Sequence, residues 1–340
     1  MKRNIFCHIT FIFFKMMLSI AATFSFSIIV AQTGPPWPTS LTVAQDGTGN
    51  HKTIQEAINA VRALAPRQVK IFIKKGVYHE KVVIPSWATN ISLIGESRDS
   101  TIITNNDHTG KDYPGKDITG QVKFITFTSY TLLVQGNDFT AENLTIENTA
   151  GRVGQAVALH VEADRAIIKN CRLLGNQDTL YTAKENSRQY YKDCYIEGTT
   201  DFIFGEATCV FQNCTIKSLT DSYITAASTR PDQKFGYVFF DCKLISVSAS
   251  KVFLGRPWRP YSRTVYINTE MGSHIVPEGW DNWGDTANEK TAFYAEYNSK
   301  GPGANISGRV KWSKQLSKKE VKEYTVENIF RTCNSWNPSL

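Results

Sequence analysis

The sequence predicts an all-β fold, a parallel β-helix (solenoid) with helical caps at its N- and C-terminal ends. One short pattern recurs along the chain: an Asn or Asp, a buried-type residue, a variable residue and another apolar residue. Its clearest copies follow one another at intervals of 27, 23, 20 and 28 residues. Repeats of this length, built from short strand-like segments, are typical of solenoids, whose coils bury their apolar faces only by stacking. Helical periodicity is confined to the two chain ends.

The repeat also positions four cysteines. Its clearest copies begin at Asn143, Asn170, Asp193, Asn213 and Asp241, and an earlier copy begins at Asn90. Cysteine fills the second position in four copies, at Cys171, Cys194, Cys214 and Cys242. Equivalent positions on adjacent coils lie about 4.8 Å apart, a spacing that a disulfide tolerates. Free buried thiols are the equal alternative, because Cys packs well as a small apolar residue.

The predicted caps rest on two segments. Apolar residues recur at helical spacing between Thr53 and Leu64, and Ser317-Lys318-Lys319-Glu320 resembles a capping box before a C-terminal helix. A solenoid needs its open core covered at each end, so we expect both helices to close the stack.

The N-terminus resembles an export signal. Residues 1–31 contain the basic pair Lys2-Arg3 and an apolar stretch that ends near Ala31-Gln32, and we predict a signal peptide. An uncleaved anchor is the alternative, although the apolar segment 16–30 is short for a membrane span. No linker divides residues 32–340, which we predict to be one domain that is secreted or periplasmic.

The charge of the chain excludes little. The formal net charge of +7 suits an acidic polymer through weak electrostatic steering, and it equally suits no particular partner. No long Lys/Arg run indicates nucleic acid, and no segment beyond the N-terminus is apolar and long enough to cross a membrane.

Two aspartates occupy the same place in consecutive repeats. Asp178 follows Asn170 by eight residues, and Asp201 follows Asp193 by eight. Stacked coils would bring the two carboxyl groups so close that one keeps its proton while the other ionises. The alternative is a pair of turn aspartates that bond their own backbone. The apolar and aromatic residues beside them favour a reactive site.

Five segments in order carry a family resemblance: GVYHE at 76–80, QAVAL at 155–159, QDTL at 177–180, DFIFG at 201–205 and LGRPW at 254–258. With them the chain resembles the pectin methylesterase (pectinesterase) family over nearly all of residues 32–340. The resemblance implies a right-handed, single-stranded parallel β-helix. It also implies hydrolysis of the methyl esters of polygalacturonate (pectin), with release of methanol. One departure is segment 151–155, which is a residue shorter before Gln155 than the plant-type arrangement, so the adjacent loop differs in shape.

The resemblance further implies a role for seven residues. The nucleophile is Asp201, the general acid and then base is Asp178, the oxyanion donors are Gln155 and Gln177, the partner of the nucleophile is Arg256, and the substrate contacts are Thr126 and Trp258. Arg256 does not lose its proton, so we expect it to keep Asp201 ionised. No metal or cofactor enters this scheme. The resemblance favours a Cys171–Cys194 disulfide, and it implies pectin as partner. We expect a monomer.

Four further aromatic residues, Tyr181, Phe202, Trp280 and Trp283, either line a sugar groove or pack in the core.

Three rival functions would each require a different set of residues. A polygalacturonase-like glycosidase would need two acids that flank a glycosidic bond. A pectate lyase would need acids gathered for calcium, of which the sequence shows no cluster. A non-catalytic carbohydrate-binding solenoid would be expected to lose Asp178 or Asp201.

Overall fold

Short parallel strands make up most of the structure. The computed structural model describes residues 37–117, 119–331 and 335–338, and the chain from Pro38 onward is one compact unit. The predicted signal peptide, residues 1–31, and Cys333 lie outside the described residues. Within the described residues no helix has the length and hydropathy of a membrane span.

The strands are listed in chain order. The first nine are β1 (Ser40–Val43), β2 (Val69–Ile73), β3 (Gly76–His79), β4 (Val82–Ile84), β5 (Ile91–Gly95), β6 (Thr101–Asn105), β7 (Leu132–Val134), β8 (Thr140–Glu142) and β9 (Thr145–Asn148). The next nine are β10 (Leu159–Val161), β11 (Ala166–Lys169), β12 (Arg172–Leu174), β13 (Leu180–Thr182), β14 (Arg188–Lys192), β15 (Tyr195–Gly198), β16 (Ile203–Gly205), β17 (Thr208–Gln212) and β18 (Thr215–Ser218). The last are β19 (Ser222–Ala227), β20 (Tyr237–Phe240), β21 (Lys243–Ser246), β22 (Val252–Pro257), β23 (Arg263–Ile267), β24 (Glu270–Met271), β25 (Phe293–Tyr297) and β26 (Lys314–Gln315).

Three parallel sheets run the length of the stack. The strand orders are β1-β2-β5-β8-β11-β14-β17-β20-β23-β25-β26 in the long sheet, β4-β7-β10-β13-β16-β19-β22 in the short sheet and β3-β6-β9-β12-β15-β18-β21-β24 in the third sheet. From β4 to β24 the strands follow in triplets, one strand for each sheet, so each triplet is one coil. This confirms the predicted parallel β-helix.

Side chains of equal register stack along the core. In the long sheet, Tyr191, Phe211, Phe239 and Tyr266 occupy paired positions on consecutive strands. Their ring centroids lie 4.7, 4.5 and 4.4 Å apart, each pair stacked. Because alternate residues of a strand point to opposite faces, the neighbouring Tyr190 lies on the outside of the same sheet. The core is therefore a series of ladders that each coil extends by one rung.

The polar residue of the repeat turns the chain between the long and third sheets. Asn143, Asn170, Asp193, Asn213 and Asp241 all have φ between 48° and 57°, in the left-handed region that Asn and Asp tolerate best. The amide of Asn170 donates to the side-chain oxygen of Asn143 at 2.6 Å, so the turns also bond to one another. The proposed copy at Asn90 is wrong in phase, because Asn90 precedes β5 of the long sheet, whereas the others precede strands of the third sheet.

The predicted cysteine ladder is present. The strand register aligns Cys171, Cys194, Cys214 and Cys242 on consecutive coils, and all four are buried. These four and Cys209 are free thiols in the structure, so the Cys171–Cys194 disulfide implied by the resemblance is not formed. Burial raises the pKa of the thiols of Cys171, Cys194 and Cys214, which keeps them protonated and inert.

The two ends of the stack differ from each other. The N-terminal helix α1 (Ile54–Asn59) is shorter than predicted, starts with a capping box between Thr53 and Glu56, and buries Ile54, Ala57 and Ile58 in the core. At the C-terminal end Ser317 and Glu320 do exchange capping bonds, but a 3₁₀ turn (Glu320–Glu323) and the short α2 (Val326–Ile329) follow.

The predicted C-terminal helical cap is therefore wrong in position. Ile329 and Phe330 pack on the outer face of the long sheet, against residues such as Tyr190 and Val210. The last coils are instead covered by Trp312, which packs beside Tyr294 in the core at a centroid distance of 5.7 Å. Further 3₁₀ turns lie at Thr126–Thr128, Asn288–Lys290, Pro302–Ala304 and Ile306–Gly308.

Candidate active site

The two predicted aspartates lie on consecutive coils at the short sheet. Asp178 precedes β13 and Asp201 precedes β16, and these strands pair with Leu180 opposite Ile203, the same offset that separates the aspartates. Both backbones are left-handed, with φ of 66° and 50°, and both residues are buried. The sequence offset between equivalent repeats thus predicted their stacking correctly.

Neither carboxyl group accepts a hydrogen bond from the backbone of its own turn. Asp201 accepts two hydrogen bonds from Arg256, from Nε at 3.0 Å and from Nη2 at 2.6 Å. The carboxyl group of Asp178 has no hydrogen-bond partner among the described residues, although the residue is 8% exposed. A buried carboxyl group without a local partner is costly as an anion. The alternative of two turn aspartates is therefore wrong.

Arg256 is held from three sides. It lies on β22, two strands beyond β16, and its guanidinium carbon is 3.8 Å from the ring centroid of Tyr223 and 3.7 Å from that of Trp283. The backbone carbonyl of Tyr223 also accepts the N–H of Asp201 at 2.9 Å. Tyr223 therefore supports both members of the ion pair, and the two rings hold the guanidinium plane in the orientation that a bidentate bond to a carboxylate requires.

The two carboxyl groups differ electrostatically. Burial, and then the neighbouring Asp201, raises the pKa of Asp178 well above its usual range, and Arg256 opposes this only in part. Burial also raises the pKa of Asp201, but hydrogen bonds and charge from Arg256 limit the rise. Arg256 thus opposes the burial of Asp201 without fully offsetting it. These opposing influences favour a proton on Asp178 and the negative charge on Asp201.

All seven predicted site residues line one cavity of about 240 Å³. The backbones of Gln155 and Gln177 form a parallel β-bridge on adjacent coils. Neither side-chain amide has a hydrogen-bond partner among the described residues. Thr126 lies in the 3₁₀ turn at the rim, and Trp258 follows β22. Two unengaged amide donors beside a carboxylate pair can stabilise an oxyanion without neutralising the nucleophile.

The family of the chain follows from comparison of its sequence. The sequence profile of the family described as Pectinesterase matches residues 40–333. This chain belongs to the pectinesterase family. It is 38% identical, over 92% of its length, to "Probable pectinesterase/pectinesterase inhibitor 23" of Arabidopsis thaliana, and it spans 56% of that relative.

Solved pectin methylesterases share the fold. The carrot pectin methylesterase superposes with a TM-score of 0.77 at 35% identity, covering 88% of this chain and 94% of the carrot chain. A pectin methylesterase in complex with a hexasaccharide superposes with a TM-score of 0.73 at 32% identity, covering 88% of this chain and 98% of the other.

The four aromatic candidates do not all lie at the cavity in this member of the pectinesterase family. Trp283 lines the cavity beside Arg256, as predicted for a groove residue. Phe202 and Trp280 are core residues instead. Tyr181 is largely buried in a cluster with Phe204, whose ring is stacked on it at 4.5 Å.

Sequence reasoning missed several residues of the site. Phe127, Phe204 and Ala226 line the cavity, and the ring of Tyr223 packs against the guanidinium of Arg256. Phe127 and Phe204 lie beside predicted residues, so their neighbourhood was a usable signal. Tyr223 carries no motif, because its role depends on the strand between the coils of Asp201 and Arg256. Among the described residues no cluster of His, Cys, Asp and Glu could hold a metal ion.

Proposed function

We propose that this protein is a pectin methylesterase that removes methyl groups from esterified polygalacturonate by covalent catalysis at Asp201. One observation carries the proposal: a buried carboxylate bound bidentately by Arg256 lies one coil from a second carboxyl group whose pKa is strongly raised. Such a pair supplies a nucleophile and an acid side by side. The hexasaccharide bound to a related pectin methylesterase supports an oligosaccharide substrate.

The first half of the reaction forms an acyl-enzyme. An ionised oxygen of Asp201 attacks the carbonyl carbon of the methyl ester, and the carbonyl oxygen becomes an oxyanion that Gln155 and Gln177 stabilise through their amide N–H groups. The bond to the methoxy oxygen then breaks. That oxygen takes the proton of Asp178 and leaves as methanol, while an anhydride joins the substrate carboxyl group to Asp201.

The second half restores the enzyme. Asp178, now ionised, takes a proton from water, and the hydroxide oxygen attacks the substrate carbonyl carbon of the anhydride. The bond to Asp201 breaks, which frees the de-esterified sugar as its carboxylic acid and returns Asp201 ionised and Asp178 protonated. The product acid then loses its proton to solvent. Thr126 and Trp258, at the cavity rim, are proposed to hold the sugar ring. Neither a metal nor a cofactor takes part in the proposed steps.

Methanol release from methylated pectin tests this function. We expect wild-type protein to release methanol without producing new reducing ends, because no glycosidic bond is cut. Asp201→Asn is expected to abolish turnover, whereas Asp178→Asn retains slow acylation without its leaving-group proton. New reducing ends without methanol would instead favour the glycosidase function, and near-native activity of either variant would contradict its assigned role. Circular dichroism checks that each variant folds.

The setting of the enzyme is part of the proposal. Residues 1–31 are proposed to direct secretion or export to the periplasm, after which residues 32–340 act as a monomer on pectin. Mass spectrometry of exported protein would test the cleavage after residue 31. A mature chain that begins at residue 1 and remains membrane-bound would favour the uncleaved anchor.

A further inference from the structure

A lysine outside the cavity is bonded to the loop that forms one wall of the site. Lys81 lies between β3 and β4, directly after the GVYHE segment. The loop joins β6 to β7 and comprises residues 106–131, all described except residue 118; we call it the 106–131 loop. Thr126 and Phe127 of this loop line the cavity.

The ammonium group of Lys81 uses all three of its protons on this loop. Nζ donates to Oδ2 of Asp107 at 3.0 Å, to the backbone carbonyl of Thr128 at 2.5 Å and to that of Tyr130 at 3.1 Å. Its side chain is 27% exposed, and the charge lies 4.3 Å from the ring centroid of Tyr130 and 4.7 Å from that of Phe124. An ammonium group has three donors and no acceptor, so this set of contacts is complete.

The partner carboxylate is itself firmly held. Asp107 also accepts from Nδ2 of Asn105 at 2.9 Å and from Nζ of Lys111 at 2.8 Å. Burial alone would raise the pKa of Asp107, but these hydrogen bonds outweigh it and lower the pKa. Burial lowers the pKa of Lys81, and the bond to Asp107 opposes that change. The loop therefore packs around a charged pair, beside the rings of Phe124 and Tyr130.

The 106–131 loop contains one proposed participant in the reaction, Thr126, and contacts another, Gln155. The N–H of Thr109 donates to the carbonyl of Gln155 at 2.9 Å. The hydroxyl groups of Thr109 and Thr126 are 3.3 Å apart. Ser129 donates to the carbonyl of Thr126 at 2.8 Å and accepts from the N–H of Val157, two residues beyond Gln155. Displacement of the loop would therefore move both Thr126 and the segment before β10 that carries Gln155.

We propose that Lys81 is a positioning residue, which holds the 106–131 loop against the stack and thereby sets the placement of Thr126 and Gln155 for ester hydrolysis. The inference rests on the proposed function for its activity readout. Lys81 touches neither the cavity nor the carboxylate pair, so its effect is transmitted through the loop backbone. A shift of about 1 Å in a reacting group is enough to lower a rate about a hundredfold.

The test compares Lys81→Met with Lys123→Met. Lys123 lies in the same loop, but its ion pair with Asp112 is on the surface, with side chains 60% and 90% exposed, and such pairs contribute little. For Lys81→Met we expect faster amide hydrogen exchange confined to peptides of residues 106–131, and a fall in kcat/KM of about 10- to 100-fold. Lys123→Met should leave both unchanged. Lys81→Arg should restore most of the protection and activity, because a guanidinium keeps the charge and several donors.

Further variants keep the outcome decisive. If Lys81→Met fails to fold, Lys81→Met/Asp107→Asn removes the carboxylate that has lost one of its two lysine partners, and allows the same measurements. Native exchange in the loop together with native kcat/KM overturns the proposal. So does a loss of activity that merely tracks unfolding of the whole chain. If wild-type protein releases no methanol from pectin, the proposed function fails, while exchange in the loop still shows whether Lys81 holds it.

Discussion

Replacement of Arg256 tests the charge arrangement of the site most directly. Two hydrogen bonds, of 3.0 and 2.6 Å, join its guanidinium to a carboxylate on a residue only 6% exposed. Removing one partner of a buried ion pair leaves an uncompensated charge and costs about 3–5 kcal/mol. If the ionised form of Asp201 attacks the ester, this cost falls on the reactive state. Each 1.36 kcal/mol is tenfold in rate, so Arg256→Ala should lower kcat/KM by at least about a hundredfold.

The same variant should change the pH dependence in a defined direction. In the proposed mechanism Asp201 acts in its ionised form, so we expect activity to fall as the pH drops through its pKa. Burial raises that pKa and Arg256 lowers it. Without Arg256 the pKa rises further, and the acidic limb of kcat/KM moves to higher pH. Because Asp178 and Asp201 are coupled, the apparent pKa of this acidic limb is a property of the pair and not of Asp201 alone.

Lysine at position 256 separates charge from geometry. An ammonium group keeps a positive charge near Asp201 but offers no planar fork for the carboxylate and no flat face for the rings of Tyr223 and Trp283. Arg256→Lys should therefore retain part of the activity and shift the acidic limb less than Arg256→Ala. The assay is methanol release from methylated pectin across pH. Arg230→Ala, which removes an exposed ion pair with Glu185, is the control. An Arg256→Ala variant with near-native kcat/KM and an unmoved limb would refute this reasoning.

Two further predictions concern stability and the thiols. The folded state raises the pKa of Asp178, so its contribution to stability is lost as the pH rises through that pKa. Asp178→Asn cannot ionise, so at neutral pH its free energy of unfolding should exceed that of wild type by about 0.5–2 kcal/mol. Its calorimetric Tm should therefore be higher, and an equal or lower Tm would contradict this. The buried thiols of the ladder should resist alkylation until the protein unfolds, and should then react without reductant. A peptide linked by a Cys171–Cys194 disulfide would contradict the free-thiol state.

The repeat was predictable because its physical cause is local. Each turn needs a residue that tolerates a left-handed backbone, which Asn or Asp provides. The two inward-facing residues follow at fixed positions, so the whole requirement is contained in four consecutive residues. The pattern of one coil therefore repeats in the next. The same argument failed at Asn90, whose left-handed backbone forms a different turn of the coil. Local conformation identifies a turn residue but not which of the turns it makes.

The C-terminal segment shows the opposite case. Ser317 and Glu320 make the capping bonds that their spacing predicts, since those contacts are three residues apart. Where the segment goes next depends on an apolar strip along the outer face of the long sheet. That strip is assembled from alternate residues of many strands, and no single stretch of sequence displays it.

The sequence by itself determined the coil and the stacking of Asp178 over Asp201, because register along a repeat converts sequence offset into distance. The other candidate site residues were predicted from the resemblance to the pectinesterase family. Only the tertiary structure decided the electrostatics and the support of that site. Arg256 is 55 residues from Asp201 in the chain, and its π-contacts with Tyr223 and Trp283 come from different coils. Lys81 reaches its loop partners across 26 to 49 residues. Burial, which raises the pKa values of both aspartates, is a property of all the surrounding coils together, so it appears only when the chain is stacked.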